Sequence, residues 1–199
     1  MSYPLRRPDV VVCGVGRTGT SYTARILQEH FGIYMCAPEH NKFCGANPKG
    51  GYEDTKMLRH SYALVEKPGY TVDEWLHHYD EYYGEIEGLV GIKQTPFSLL
   101  SYQQWEELNP KLVIRTHRSD LLAVESMVRV RVPKDREKWQ KFYNKREACM
   151  MKHLDGPDGF HSFPVGTVYF GSQQLEDWKM INWLEYHIKR AGIDYEESL

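Results

Sequence analysis

Four short stretches of the chain are apolar and β-branched: Val10–Cys13, Leu89–Lys93, Leu112–Thr116 and Val165–Phe170. Runs of this length and composition read as strands buried on both faces, the pattern of a parallel sheet. Behind the first of them, Thr23, Ile26, Leu27 and Phe31 fall at helical spacing, and Gly32 is placed to end the helix. Helices are also predicted over Asp54–Glu66, Val72–Tyr83, Leu99–Leu108, Asp120–Val130, Lys134–His153 and Leu175–Ala191. Alternation of strand and helix predicts an α/β architecture of three layers, a parallel β-sheet flanked by helices. A further apolar stretch, Ile33–Ala37, leads into a loop rich in Gly, Pro and Asn, and Pro133 breaks the chain before the long charged helix.

At 199 residues, with 41% apolar and 26% charged side chains, the chain has the size and composition of one globular domain, residues 1–199. Its longest apolar run, Ile33–Ala37, is far below the roughly 20 residues that cross a bilayer, so no membrane association is expected. Four cysteines without regular spacing suggest neither a disulfide framework nor a zinc site, and a cytoplasmic setting is the expectation. The net charge of −2 argues against a protein that coats nucleic acid. Basicity is local: Arg129 to Arg146 holds eight Lys or Arg against Asp135 and Glu137, a run that usually makes a solvated helix face.

The candidate chemistry begins where the first strand ends. Gly14-Val-Gly16-Arg17-Thr18-Gly19-Thr20-Ser21 lies between strand and helix, where backbone N–H groups can curl around an anion and the helix N-terminus favours negative charge. In the spacing GxxxxGK[ST] the lysine position is taken by Thr20, and the cation in the loop is Arg17. A nucleoside-triphosphate enzyme also uses an acidic residue at a strand end to hold Mg²⁺, and none of the later strands ends in one. The mouth of the sheet is expected to present Arg17, Lys93, Arg115 and Arg118.

These residues resemble the sulfotransferases that use 3′-phosphoadenosine 5′-phosphosulfate (PAPS), whose 5′-phosphosulfate loop reads G-x-x-[RK]-[ST]-G-[ST]-[ST]. Here the loop is GVGRTGTS. The family's 3′-phosphate motif, a strand followed by R-x₇-S, is similar to KLVIRTHRSDLLAVES, with Arg118 and Ser126 at that separation. NPKGGYED and GIKQTPF are similar to two further segments of bacterial members. Together the similarities span roughly residues 9 to 130. The chain lacks the family's RKGxxG segment, and Asp120 stands where a proline is common.

The resemblance implies a P-loop nucleoside triphosphate hydrolase-like fold and a donor site. Gly16, Arg17, Thr18, Gly19, Thr20 and Ser21 would hold the 5′-phosphate, and Arg118 and Ser126 the 3′-phosphate. Six residues separate Asp120 from Ser126, about 9 Å along a helix, a distance an arginine before the cap can cover. PAPS is then the donor, adenosine 3′,5′-bisphosphate the product, and no metal is required. The acceptor would be the hydroxyl or amine of a small molecule or carbohydrate. Catalysis falls to Arg17 at the leaving group, Lys93 at the transferring group, and a carboxylate base. Glu53, inside NPKGGYE, is favoured for that base, with Glu39 in reserve. Two competing readings use the same residues: a small-molecule or nucleotide kinase of the same fold, and a non-catalytic module that binds an anionic nucleotide or RNA through the basic helix.

Overall fold

The computed structural model describes residues 4–35, 51–130, 134–154, 161–171 and 176–195. Among the described residues four strands, β1 (Val10–Gly14), β2 (Gly91–Lys93), β3 (Leu112–Arg118) and β4 (Val165–Phe170), form one sheet in the order β2-β1-β3-β4. All three pairings are parallel, with Gly14 opposite Thr116 and Arg118 opposite Phe170. Beyond β2 the chain makes one more parallel bridge, Tyr34 to Val90, so the described part of the apolar stretch behind the first helix, residues 33–35, meets the sheet as an edge contact.

Seven α-helices among the described residues cover the two faces: α1 (Thr20–Phe31), α2 (Thr55–Glu66), α3 (Val72–Tyr83), α4 (Tyr102–Leu108), α5 (Asp120–Val130), α6 (Arg136–His153) and α7 (Asp177–Arg190). Strand alternation divides the core. Val10, Val12, Leu112, Ile114, Val168 and Phe170 pack with α1 and α7. Val11, Cys13, Ile92 and Val113 point the other way and pack with α2 through α6. β1 and the first part of β3 are buried on both faces and read as apolar runs, whereas β4, at the sheet edge, alternates buried Gly166, Val168 and Phe170 with the more open Val165, Thr167 and Tyr169. The expected α/β, P-loop-type architecture is the one observed. None of the described helices is long and apolar enough to cross a membrane.

Boundaries differ where local hydrogen bonding outweighs periodicity. The helix expected from Leu99 begins at Tyr102, because Thr95–Leu99 winds as a 3-10 helix and Ser101 then opens a capping box with Gln104. Asp120 is the first residue of α5 and not its cap, since Ala123 N–H bonds the Ser119 carbonyl.

One cap has functional consequences. Asp54 is 2% exposed, and its Oδ1 accepts the N–H groups of Lys56 and Met57, starting α2. Its Oδ2 accepts the Tyr83 hydroxyl from α3, and its carbonyl accepts the Gln94 amide from the end of β2. Glu53, the preceding residue, is thereby fixed against the sheet. Asp54→Ala removes the cap and the carboxylate that accepts the Tyr83 hydroxyl. A loss of about 2–4 kcal/mol in unfolding free energy is expected in urea melts, from one cap and one buried hydrogen bond to a charged group.

Candidate active site at the carboxyl ends of the strands

The glycine loop can lie against the sheet because Gly14 has no side chain. A methyl there would sit 2.7 Å from the Thr116 carbonyl oxygen and 2.8 Å from the Thr18 hydroxyl. Thr18, wholly buried, directs both its N–H and its hydroxyl to the Val15 carbonyl, and the hydroxyl also meets that of Thr116, so the residue anchors the loop with its N–H already engaged. Gly19 caps α1 at φ 101° with the Phe170 ring beneath it, 2.5 Å from where a Cβ would stand. Both requirements, left-handed backbone and contact with a ring, select glycine. Gly16 is open on the outer side, with nothing within 4 Å of where a methyl would stand. Thr20 opens α1, 7% exposed, where the helix's first N–H groups have no intrahelical partner. Beneath the loop, burial pushes the Cys13 thiol up to about 12, which keeps it protonated and unreactive.

Arg17 adopts φ 75°, unusual for a residue with a side chain, and its Nε donates to Ser126 Oγ at 3.0 Å. The loop's cation is thus tied to α5. Arg118 ends β3 with its carbonyl held by the Tyr143 hydroxyl, and its buried Nε has no hydrogen-bond partner among the described residues. The two arginines and the serine expected at a donor site share one end of the sheet, and the observed partner of Ser126 is Arg17.

A second group of residues converges on the carbonyl of Gly51. Ser21 Oγ donates to it at 2.9 Å and Lys93 Nζ at 2.8 Å. Lys93, with its side chain 6% exposed, also lies 3.8 Å from Glu53 Oε2, and Glu53 Oε1 accepts the Thr95 N–H at 2.7 Å. Loop helix, β2 end and the segment before α2 therefore meet at one point. Glu39 falls outside the described residues, as do Cys36, His40 and Cys44.

Arg115 does not join the mouth as expected. Strand alternation turns Arg115 and His117 to the face under α6, opposite to Thr116. There Arg115 pairs with Glu147, whose Oε1 also lies 2.8 Å from His117 Nδ1. A buried arginine needs such a partner. Glu147 arrives from a helix distant in sequence, so no local pattern announces it. The basic run is likewise divided: Lys138, Lys141 and Lys145 are exposed, whereas Arg146 is buried.

Four parallel strands with helices on both faces and a glycine loop between β1 and α1 define a P-loop α/β fold. Solved structures of that fold are similar to this chain over nearly its whole length. Shikimate kinase from Bacteroides thetaiotaomicron matches with a TM-score of 0.51 at 8% identity, over 92% of this chain and 98% of that one. Deoxyadenosine kinase from M. mycoides, with bound dATP, matches at 0.50 and 11% identity, over 90% and 98%. A sugar kinase from a Janibacter species matches at 0.50 and 12% identity, over 92% and 95%. No family profile and no curated protein sequence matches the chain.

Glu147→Ala removes the carboxylate paired with the buried Arg115 guanidinium. It is expected to cost about 3–5 kcal/mol, measured by chemical unfolding, the range for breaking one side of a buried pair.

Proposed function

We propose that this protein is a group-transfer enzyme that carries a sulfuryl group from PAPS to a hydroxyl or amine of a small-molecule or carbohydrate acceptor. The observation that carries the reading is the hydrogen bond from Arg17 to Ser126. It joins the 5′ loop to the helix that follows Arg118, so one residue of each phosphate motif meets the other at this end of the sheet.

In sulfuryl transfer the bond from sulfur to the bridging oxygen breaks, a bond from sulfur to the acceptor atom forms, and the acceptor loses a proton. Negative charge grows on the departing phosphate oxygen. Arg17 and the N–H groups at the start of α1 are suited to stabilise that charge. Arg118 offers its fork to the ribose phosphate. Across the Gly51 junction, Lys93 would steady the transferring group, and Glu53 would accept the acceptor's proton or hydrogen bond.

Phosphoryl transfer is the second reading, supported by the three similar folds, all of them kinases. What sets this chain apart from that reading is its loop, where Thr20 fills the lysine position and the cation is Arg17. Similarity at this level of identity concerns the fold, and one fold hosts many chemistries.

Thermal shift separates the two readings. Adenosine 3′,5′-bisphosphate is expected to raise the melting temperature without added metal, and a response confined to ATP with Mg²⁺ would favour the kinase. In calorimetry, Arg17→Ala and Arg118→Ala are each expected to weaken bisphosphate binding by about 1–3 kcal/mol, the scale of hydrogen bonds to charged groups. Equal affinities in wild type and both variants would remove the donor site.

A further inference from the structure

Within α6, Arg146 departs from its lysine neighbours. It is 4% exposed, its Nη1 donates to the Thr95 carbonyl at 2.6 Å and to the Ser98 hydroxyl at 2.7 Å, and its guanidinium lies 4.4 Å from the centre of the Phe142 ring. A guanidinium in such a place carries a large desolvation cost. Burial lowers its pKa from the ordinary arginine value, while the nearby acidic groups Tyr62, Glu66 and Glu53 act in the opposite direction. A charge retained at that cost, with Glu53 among its electrostatic neighbours, calls for a reason beyond bolting down one helical turn.

Thr95 supplies the connection. Its carbonyl is held by Arg146, and its N–H is the donor to Glu53 Oε1. Lys93 stands on the other carboxylate oxygen. We propose that Arg146 is a positioning residue for Glu53, fixing Thr95 so that its N–H meets the carboxylate and adding a second buried cation to that carboxylate's surroundings. The orientation of Glu53 is then set from a helix more than ninety positions away in sequence. The catalytic meaning of this placement rests on the reading of Glu53 as the acceptor-side carboxylate, whereas the placement itself does not.

The experiment is a carboxyl-¹³C glutamate NMR titration of the full chain, with the Glu53 signal assigned by its disappearance in Glu53→Gln. Arg146→Gln removes the charge but keeps a donor for the Thr95 carbonyl. It is expected to raise the Glu53 midpoint by about half a pH unit or more, because a nearby cation favours the ionised carboxylate. Arg146→Lys, which restores the charge, is expected to bring the midpoint back toward wild type. Arg146→Met, a replacement compatible with an apolar site, tests the same rise should the glutamine variant not fold. A folded neutral variant whose Glu53 titrates as in wild type overturns the proposal. Calorimetry with adenosine 3′,5′-bisphosphate runs alongside. Affinity within about twofold of wild type is expected for Arg146→Gln, because the donor half lies elsewhere. Failure of the wild type to bind the bisphosphate would remove the donor reading while leaving the Glu53 titration result intact.

Discussion

The close approach of Gly14 to β3 is the contact on which the site is built. With no side chain at that position, the chain can turn at the end of β1 and lay its loop across Thr116, and the Thr18 hydroxyl then bonds the Thr116 hydroxyl. All four strands run parallel, so every strand leaves the sheet at the same end. The loop, Lys93, Arg118 and the end of β4 are neighbours for that reason alone. A parallel sheet concentrates its connections at one end, and ligand sites of open α/β folds lie there.

The candidate site divides at the Gly51 carbonyl, which receives bonds from Ser21 on one side and Lys93 on the other. On one side stand the loop N–H groups, Arg17, Ser126 and Arg118. On the other stand Lys93, Glu53 and the residues that hold them. The two sides are supported differently. The first is built on local geometry, a glycine turn and a helix N-terminus, with one long-range bond from Arg17 to Ser126. The second depends on long-range bonds: Tyr83 and Gln94 to Asp54, Thr95 to Glu53 and Arg146 to Thr95. α6 serves both, with Arg146 facing the second and its neighbour Glu147 facing β3 through Arg115 and His117.

This difference explains what can be read from the sequence. The strands, the loop and α1 are legible because apolar runs, glycines and helical spacing are local signals, and their order specifies a parallel α/β sheet. Arg17 and Lys93 are legible because each sits at a strand end or in the loop. Arg115 misleads, since its place at a strand end says nothing of which face it takes until the register is known. Arg146 and Glu147 are hidden in a charged helix, where only packing distinguishes a buried residue from a solvated one. The start of α4 is obscured because Ser101 and Gln104 form a capping box downstream of an apolar 3-10 turn that has helical spacing of its own.

The source of positive charge is the feature that most separates this site from others built on the same frame. A lysine in the place of Thr20 would stand at the first position of α1, one residue after Gly19 and its Phe170 contact, where the native side chain is nearly buried. The charge comes instead from Arg17, on the outer shoulder of the loop, in a left-handed conformation that costs free energy unless the surroundings hold it. Ser126 does so, with a bond that reaches from the loop to α5. A guanidinium is a planar fork of donors, which suits the oxygens of a phosphate better than the single point charge of a lysine. Lys93, nearly buried on β2, adds the second cation from the opposite side of the loop, tethered to the Gly51 carbonyl and close to Glu53. Two cations from two different elements are thus held at this end of the sheet, one in the glycine loop through Ser126 and one on β2 beside the Glu53 carboxylate.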